Sequence, residues 1–300
     1  MQTFKVETGG ERLDKYLTQR VNCTRSRLKH AKILLNGAAV KSGTTLRAGD
    51  VIEIETADNQ TTAEPENVDL DIIYEDGYLL IINKPRGMVV HPGAGVHSGT
   101  VLNALLGREI HIPRRLTAPP LYLKGELLRA GIVHRLDKNT AGLMVVAKTA
   151  EVQAKLGKMF EAHAVRRTYI GLVEGVLRGE GTIDKNIVRD KNHRTLFTVA
   201  VSGGRRAITH YTVLRNFSKW TLVKFDLETG RTHQIRVHCK SIGHAIVGDP
   251  EYNPNSSIKN LSGQMLESVE IEFMHPKLET RINFKTNYGE EFQKTVDRIV

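Results

Sequence analysis

The residues best suited to chemistry lie between Gly131 and Thr149, GIVHRLDKNTAGLMVVAKT. His134, Arg135, Asp137, Lys138, Asn139 and Thr140 crowd together, and an apolar run from Leu143 to Ala147 follows at once. Asp137 is the only carboxylate in the stretch. Arg135 and Lys138 flank it, and nearby cations favour an ionised carboxylate. On a rigid support such a group can serve as nucleophile or general base. The same residues equally suit a solvated turn with a surface ion pair, and the pattern alone leaves the two readings level.

The elements that would hold this turn are legible around it. The run Leu143 to Ala147 predicts a strand buried on both faces, supporting the polar turn before it. Leu79 to Ile82 predicts a second buried strand. Lys84-Pro85 and His91-Pro92 must be extended or turning, because a residue before proline avoids the helical region. Thr100 predicts the cap of a short helix through Leu106. Thr149 predicts the cap of a second helix, whose Val152, Leu156, Met159 and Phe160 share a core-facing side. Arg166 to Gly175 and Trp220 to Leu227 alternate as strands do. Tyr169 lies in the first of these, where a tyrosine more often belongs to the core. Thr232 predicts the cap of a helix running to Ile242, with Gly243 as its stop. His233 and His238, five apart, would not share a helix face, and no other histidine pattern suggests a metal.

Composition bounds the partners. The chain has 300 residues, 40% of them hydrophobic, which allows one large domain or two with a sizeable core. Its formal charge of +10 favours a polyanion, nucleic acid before membrane. No apolar run approaches membrane-spanning length and the N-terminus lacks an apolar signal core, so a cytoplasmic protein is expected. Cys23 and Cys239 form no pair motif, which fits a reducing compartment without a zinc site. No metal, no cofactor and no membrane partner is expected, and the protein is expected to be a monomer.

Residues 1–57 read as a small basic α/β unit. From Arg12 to Lys32 there are seven basic residues against one acid, Asp14. Leu13, Tyr16, Leu17 and Val21 recur at helical spacing. Thr24 is a candidate cap for a second helix bearing Arg25, Arg27 and Lys29, and Asn36-Gly37 predicts a hairpin turn. Such a charged face can be merely solvated, or it can straddle a phosphate backbone. Residues 58–68, acidic and without large apolar groups before Val68, read as a linker. The second domain is then 69–300. Within it, 108–130 is a proline-containing insert with Arg108, Arg114, Arg115, Lys124 and Arg129, suited to a mobile loop or an RNA clamp.

His-Arg-Leu-Asp-x-x-Thr-x-Gly-Leu at 134–143 resembles the signature of the RluA-type pseudouridine synthases. Lys84-Pro85-x-Gly87-x-x-x-His91, Gly230-Arg-Thr-His-Gln-Ile-Arg236 and Phe273-x-His275-Pro276 extend the resemblance in the right order. Ala141, Ala130 and the segment 263–268 depart from the family pattern without touching Asp137. The N-terminal unit resembles the small alpha-L RNA-binding domain of a small-subunit ribosomal protein, with about one helical turn fewer between Ser26 and Asn36.

The resemblance implies an α+β fold: a mixed, mostly antiparallel sheet crossed by a central cleft, beside the small N-terminal domain. It implies an isomerase that converts uridine in structured RNA to pseudouridine after flipping the base, with large-subunit ribosomal RNA favoured and transfer RNA open. Asp137 would be the catalytic residue, Arg231 its ion-pair partner and Tyr169 the face that stacks on the base. Arg135 would fill the space the base leaves. His134, Leu136, Ile235 and Lys84 would complete the substrate contacts, and Arg12, Arg25, Arg27 and Lys29 would bind RNA from the N-terminal domain. Two other classes stand against this. A nucleoside hydrolase needs a second acid flanking the bond, and none shares a motif with Asp137. A non-catalytic RNA-binding or assembly protein has no use for Asp137, Tyr169 and Arg231 together.

Overall fold

The computed structural model describes residues 2–20, 28, 31–55, 63–93, 95–108 and 131–299. They divide into two compact units, the second beginning at Ala63. In the first, β1 (Gln2–Lys5), α1 (Leu13–Arg20), β2 (Lys32–Leu35), β3 (Ala38–Ala39) and β4 (Val51–Glu55) follow one another. The strands make an antiparallel sheet in the order β1-β4-β2-β3. Leu13, Tyr16 and Leu17 of α1 pack on Ile33, Leu46, Ile52 and Ile54, which accounts for their helical spacing. Asn36 and Gly37 join β2 to β3 with φ of 52° and 80°, the paired positive values of a type I′ hairpin turn. Thr24, Arg25, Arg27 and Lys29 lie outside the described residues.

The second unit is built on a nine-stranded sheet. Its strands are β5 (Asp71–Glu75), β6 (Leu79–Lys84), β7 (Ala141–Ala147), β8 (Arg166–Glu174), β9 (Glu180–Asp184), β12 (Ile208–Asn216), β13 (Trp220–Leu227), β14 (Leu266–Met274) and β15 (Arg281–Lys285). A separate hairpin pairs β10 (Ile187–Arg189) with β11 (Phe197–Val199). The helices are α2 (Val101–Gly107), α3 (Ala150–Glu161), α4 (Gln234–Ser241) and α5 (Glu290–Ile299). The sheet order is β5-β6-β7-β14-β8-β13-β12-β9, with β15 on β14. Only the β7–β14 pairing is parallel, so the sheet is mixed and mostly antiparallel, as expected. Among the described residues no helix is long and apolar enough to cross a membrane.

The central strands are apolar on both faces. Leu80, Ile82, Met144 and Val146 join one core with Tyr169, Phe225 and Ile235. Leu79, Ile81, Leu143 and Val145 join another with Val152 and Leu156 of α3. Thr100 caps α2 in a reciprocal box with Asn103, and Thr149 caps α3 through the Val152 amide. Two expectations change. First, residues 63–68 are held against α2 rather than behaving as linker: Asn103 Nδ2 donates to Glu64 O at 2.8 Å and Glu66 N to Asn103 O at 3.1 Å. The rest of that linker, 58–62, lies outside the described residues, as does 109–130 of the basic insert. Second, α4 begins at Gln234 behind His233, whose φ of 57° is left-handed, and not behind a Thr232 cap. The turn is held by the Gln234 amide, which accepts from Arg231 N and the Thr229 hydroxyl and donates to Ile208 O and Thr209 Oγ1.

Candidate active site

Asp137 sits in the turn that leads into β7, and the turn is fastened from beneath. Gly142 in β7 pairs with Lys84 of β6 on one side and Ser268 of β14 on the other. Its φ is 111°, and a Cβ there would lie 2.1 Å from Ser268 O, so only glycine lets the three strands meet. Thr140 N donates to Asp137 O at 3.1 Å. Gln264 Nε2 donates to Thr140 Oγ1 at 3.0 Å and Arg86 Nη1 to Asn139 O at 2.9 Å. The Asp137 side chain is 17% exposed, open enough to reach a ligand and enclosed enough to have a fixed direction.

Lys84 completes the fastening, and the expected substrate contact from it is corrected. Its residue is 0% exposed, and its ammonium donates to Pro85 O at 2.9 Å, Met88 O at 2.9 Å and Lys138 O at 3.1 Å. All three protons are committed to the backbone. Burial pushes the Lys84 ammonium down to about 7, with the charge of Asp137 opposing that shift and the charge of Arg86 adding to it. Lys84 thus acts on Asp137 through its field and through the Lys138 carbonyl.

The ion-pair partner of Asp137 is Arg236. Arg236 Nη1 donates to Asp137 Oδ2 at 3.1 Å. The same guanidinium, 4% exposed, grips Asp249 with two bonds of 2.7 and 2.8 Å and Glu251 Oε2 at 2.5 Å, and it lies over the Tyr252 ring at 4.8 Å. Asp249 is 0% exposed and also accepts from the amides of Glu251 and Tyr252. Burial disfavours the charge of Arg236, but the hydrogen bonds and charge of Asp249, then Asp137 and Glu251, outweigh it and raise its pKa. The expected Arg231–Asp137 pair does not form. Arg231 lies ahead of α4 and its Nε donates to Arg206 O at 2.9 Å, whereas Arg236 is buried in the helix beside the turn. The signal was in the same motif, five residues on, with its anchor in Gly248-Asp249-Pro250.

Sequence reasoning missed His233. Its ring lies edge-on to Phe197 and Tyr252, with centroids 5.6 Å from each. Tyr252 accepts from Phe197 N at 2.9 Å, so its own proton serves His233 Nδ1 at 2.8 Å. The neutral ring therefore carries its proton on Nε2, which faces Asp137 Oδ1 at 3.8 Å. Burial lowers the His233 pKa, against the pull of Asp137, which favours the neutral ring. Burial likewise pushes the Tyr252 phenol up to about 12. A left-handed φ at a histidine leaves no trace in residue type, which is why the sequence did not disclose it.

Tyr169, Leu136 and Ile235 converge in one apolar cluster with Phe225 and Leu266, on the side of β8 toward Asp137, whose charge reaches the phenol. Burial raises the Tyr169 pKa. Arg135 is exposed beside this pocket. His134 turns its Nε2 to β7 rather than to Asp137. Its ring stacks on Phe160 at 4.6 Å and its Nε2 accepts from Val145 N at 3.0 Å, which ties the Asp137 turn to β7. Burial, then the charge of Arg167, pushes it down to about 3, so it stays neutral. In the N-terminal unit Arg12 is turned onto Asp14, at 3.0 and 3.1 Å. The acids Asp137, Asp249 and Glu251 surround a guanidinium, which fills the space a cation would need. The result is a partly exposed carboxylate, bonded to Arg236 and faced by His233, at the edge of an apolar cluster with an aromatic face, while Glu251, 35% exposed, holds Nη2 of the same guanidinium.

Residues 78–241 match the family described as RNA pseudouridylate synthase. The chain is similar to the uncharacterised RNA pseudouridine synthase YlyB of Bacillus subtilis, with 37% identity covering 99% of this chain and 97% of that protein. It is also similar to ribosomal large subunit pseudouridine synthase D of Pseudomonas aeruginosa, with 41% identity covering 92% and 84%. Among solved structures, human RNA pseudouridylate synthase domain containing 4 shares the fold, with a TM-score of 0.57 and 23% identity over 76% of this chain and 92% of that one.

Proposed function

The chain belongs to the RNA pseudouridylate synthase family, and on that premise we propose that it isomerises uridine in large-subunit ribosomal RNA with Asp137 as the reacting group. The observation that carries the site assignment is that Asp137, 17% exposed and bonded to Arg236, follows Leu136, which packs with Tyr169 and Ile235, while Asp249 on the same guanidinium is sealed off. In the reaction the bond from ribose C1′ to uracil N1 breaks, the base turns, C5 bonds to C1′, the C5 proton leaves to solvent, and N1 takes up one proton in exchange. Atoms balance within one nucleotide. The Asp137 carboxylate acts on the ribose by attack at C1′ or by removing the C2′ proton, and deuterium at C2′ slows only the second route. Arg236 and the Nε2–H of His233 orient the carboxylate. Tyr169 stacks on the flipped uracil in the slot with Leu136 and Ile235. Arg135 occupies the vacated place in the RNA, where unpaired or loop nucleotides cost least to extrude. The basic N-terminal unit is an alpha-L RNA-binding domain that adds backbone affinity. The protein works as a monomer in the cytoplasm.

The test is tritium release from large-subunit ribosomal RNA labelled at uracil C5. Asp137→Asn removes a charge without removing shape, and should abolish release, a loss of at least about 10⁴-fold on the scale of a deleted nucleophile. Free uracil in place of a retained isomer, or turnover that survives Asp137→Asn, overturns the reading.

A further inference from the structure

Arg167 is a buried cation of the site that the mechanism does not use. It is 7% exposed. Its Nε meets no hydrogen-bond acceptor among the described residues, and its guanidinium lies over the Phe160 ring at 5.5 Å. A cation–π contact offsets only part of the cost of burying a charge. Asp226, paired with Thr168, the neighbour of Arg167 in β8, is engaged by Arg166 and Lys224. Residues Arg167 and Tyr169 alternate along β8 and so share a face, which puts the guanidinium on the side of the base-stacking ring. Gly230 confirms the close packing. A Cβ there would stand 2.5 Å from Arg167 Nη1, so the motif's glycine makes room for this guanidinium. The next residue is Arg231, which among the described residues uses only its Nε, on the Arg206 carbonyl. Burial, then the charges of Arg205 and Arg167, depress the pKa of Arg231, in keeping with the contact of Gly230 with Arg167 and of Arg231 with the residue after Arg205.

We propose that Arg167 and Arg231, with Arg205 at the rim, form a phosphate site beside Asp137 and Tyr169 that grips one phosphodiester next to the flipped uridine. The proposal deepens the functional reading above and rests on it for the identity of the ligand. An arginine pair without carboxylates presents several donors to one phosphate, in the fork geometry that suits its oxygens. It also gives a reason for the base to stop where it does: a fixed phosphate sets how far the nucleotide swings toward Asp137.

Two measurements on the full chain test this. In the first, inorganic phosphate is titrated at constant ionic strength against chloride, following the arginine Nε–Hε resonances. The Arg167 resonance, assigned by its loss in Arg167→Lys, should shift saturably. No shift, or equal shifts at all arginines, overturns the site. In the second, tritium release is measured against salt. Arg167→Gln should raise KM for RNA about ten- to hundredfold, as for a lost charge-assisted bond, and lower the slope of log kcat/KM against log salt by ~0.7–0.9. Its thermal midpoint should hold or rise, because an unpaired buried charge is removed. Arg167→Lys should recover part of the affinity. Gly230→Ala, which keeps Arg167 but crowds its guanidinium, should shift KM the same way. If Arg167→Gln unfolds, or leaves KM and the salt slope at the parent values, Arg167 is structural and the proposal fails. If the parent protein releases no tritium but the Arg167 resonance still saturates, the isomerase reading fails and the phosphate site stands.

Discussion

Two buried guanidiniums lie near the Asp137 turn, and they are treated in opposite ways. Arg236 meets three carboxylates and an aromatic face. Arg167 meets an aromatic face and, among the described residues, no acceptor for its Nε. Burial taxes both charges alike, so the difference lies in what each is for. A cation surrounded by acids is a permanent part of the architecture. It fixes Asp137 and cannot leave without exposing Asp249, which is sealed from water. A cation left without acids costs stability while the site is empty and recovers it when an anion arrives. On the proposed reading, the comparison separates the group that positions Asp137 from the group that receives a phosphate.

The sharpest way to break this contrast is to replace each arginine with methionine. Arg236→Met should destabilise the second unit by ~3–5 kcal/mol in denaturant unfolding, the cost of stranding buried charge, while Arg167→Met should be neutral or stabilising. Equal losses would erase the distinction. Lys84 offers an intermediate case, a buried cation satisfied by carbonyls rather than by acids. Its pKa falls from 10.5 to about 7 on folding, so between those values the unfolded chain holds more protons and stability rises with pH. Stability of the parent relative to Lys84→Met should therefore climb by a few kcal/mol from pH 7 to pH 10. A flat difference would mean that the three carbonyls hold the charge as well as water does. Smallest of all is Arg231→Met. A half-buried arginine bonded to one carbonyl should cost no more than ~1 kcal/mol, yet raise KM for RNA with Arg167. A stability loss as large as that of Arg236→Met would return Arg231 to the role of partner for Asp137.

The strands and the turn were legible because their signal is periodic and local. The apolar runs 79–82 and 143–147 could be nothing but strands with two covered faces, and Asp137 stood alone as a carboxylate among cations. Partnership was not legible. Arg231 and Arg236 belong to one motif, and only the start of α4, set by a left-handed His233 and the Gln234 amide, decides which one reaches Asp137. His134 and Lys84 looked like substrate contacts because they stand in the motifs, but their polar atoms are turned to Val145 N and to three carbonyls. Residues 63–68 looked like a linker because composition records charge and not the waiting amide of Asn103. The closeness of Arg167 and Gly230 spans more than sixty residues and has no periodic trace at all.

The place of β14 in the sheet sets when this protein can become active. β7 and β8 are successive strands of that sheet, yet β14 lies between them, and Ser268 pairs with Gly142 below the Asp137 turn. During synthesis the slot must stay vacant until residues 266–274 emerge from the ribosome. Until then two long apolar edges stand open, slow to close because the missing strand is so distant in sequence, and prone to pair with the wrong partner. A nascent chain halted before residue 266 would carry every residue of the His-Arg-Leu-Asp motif and still be unable to hold Asp137 in position.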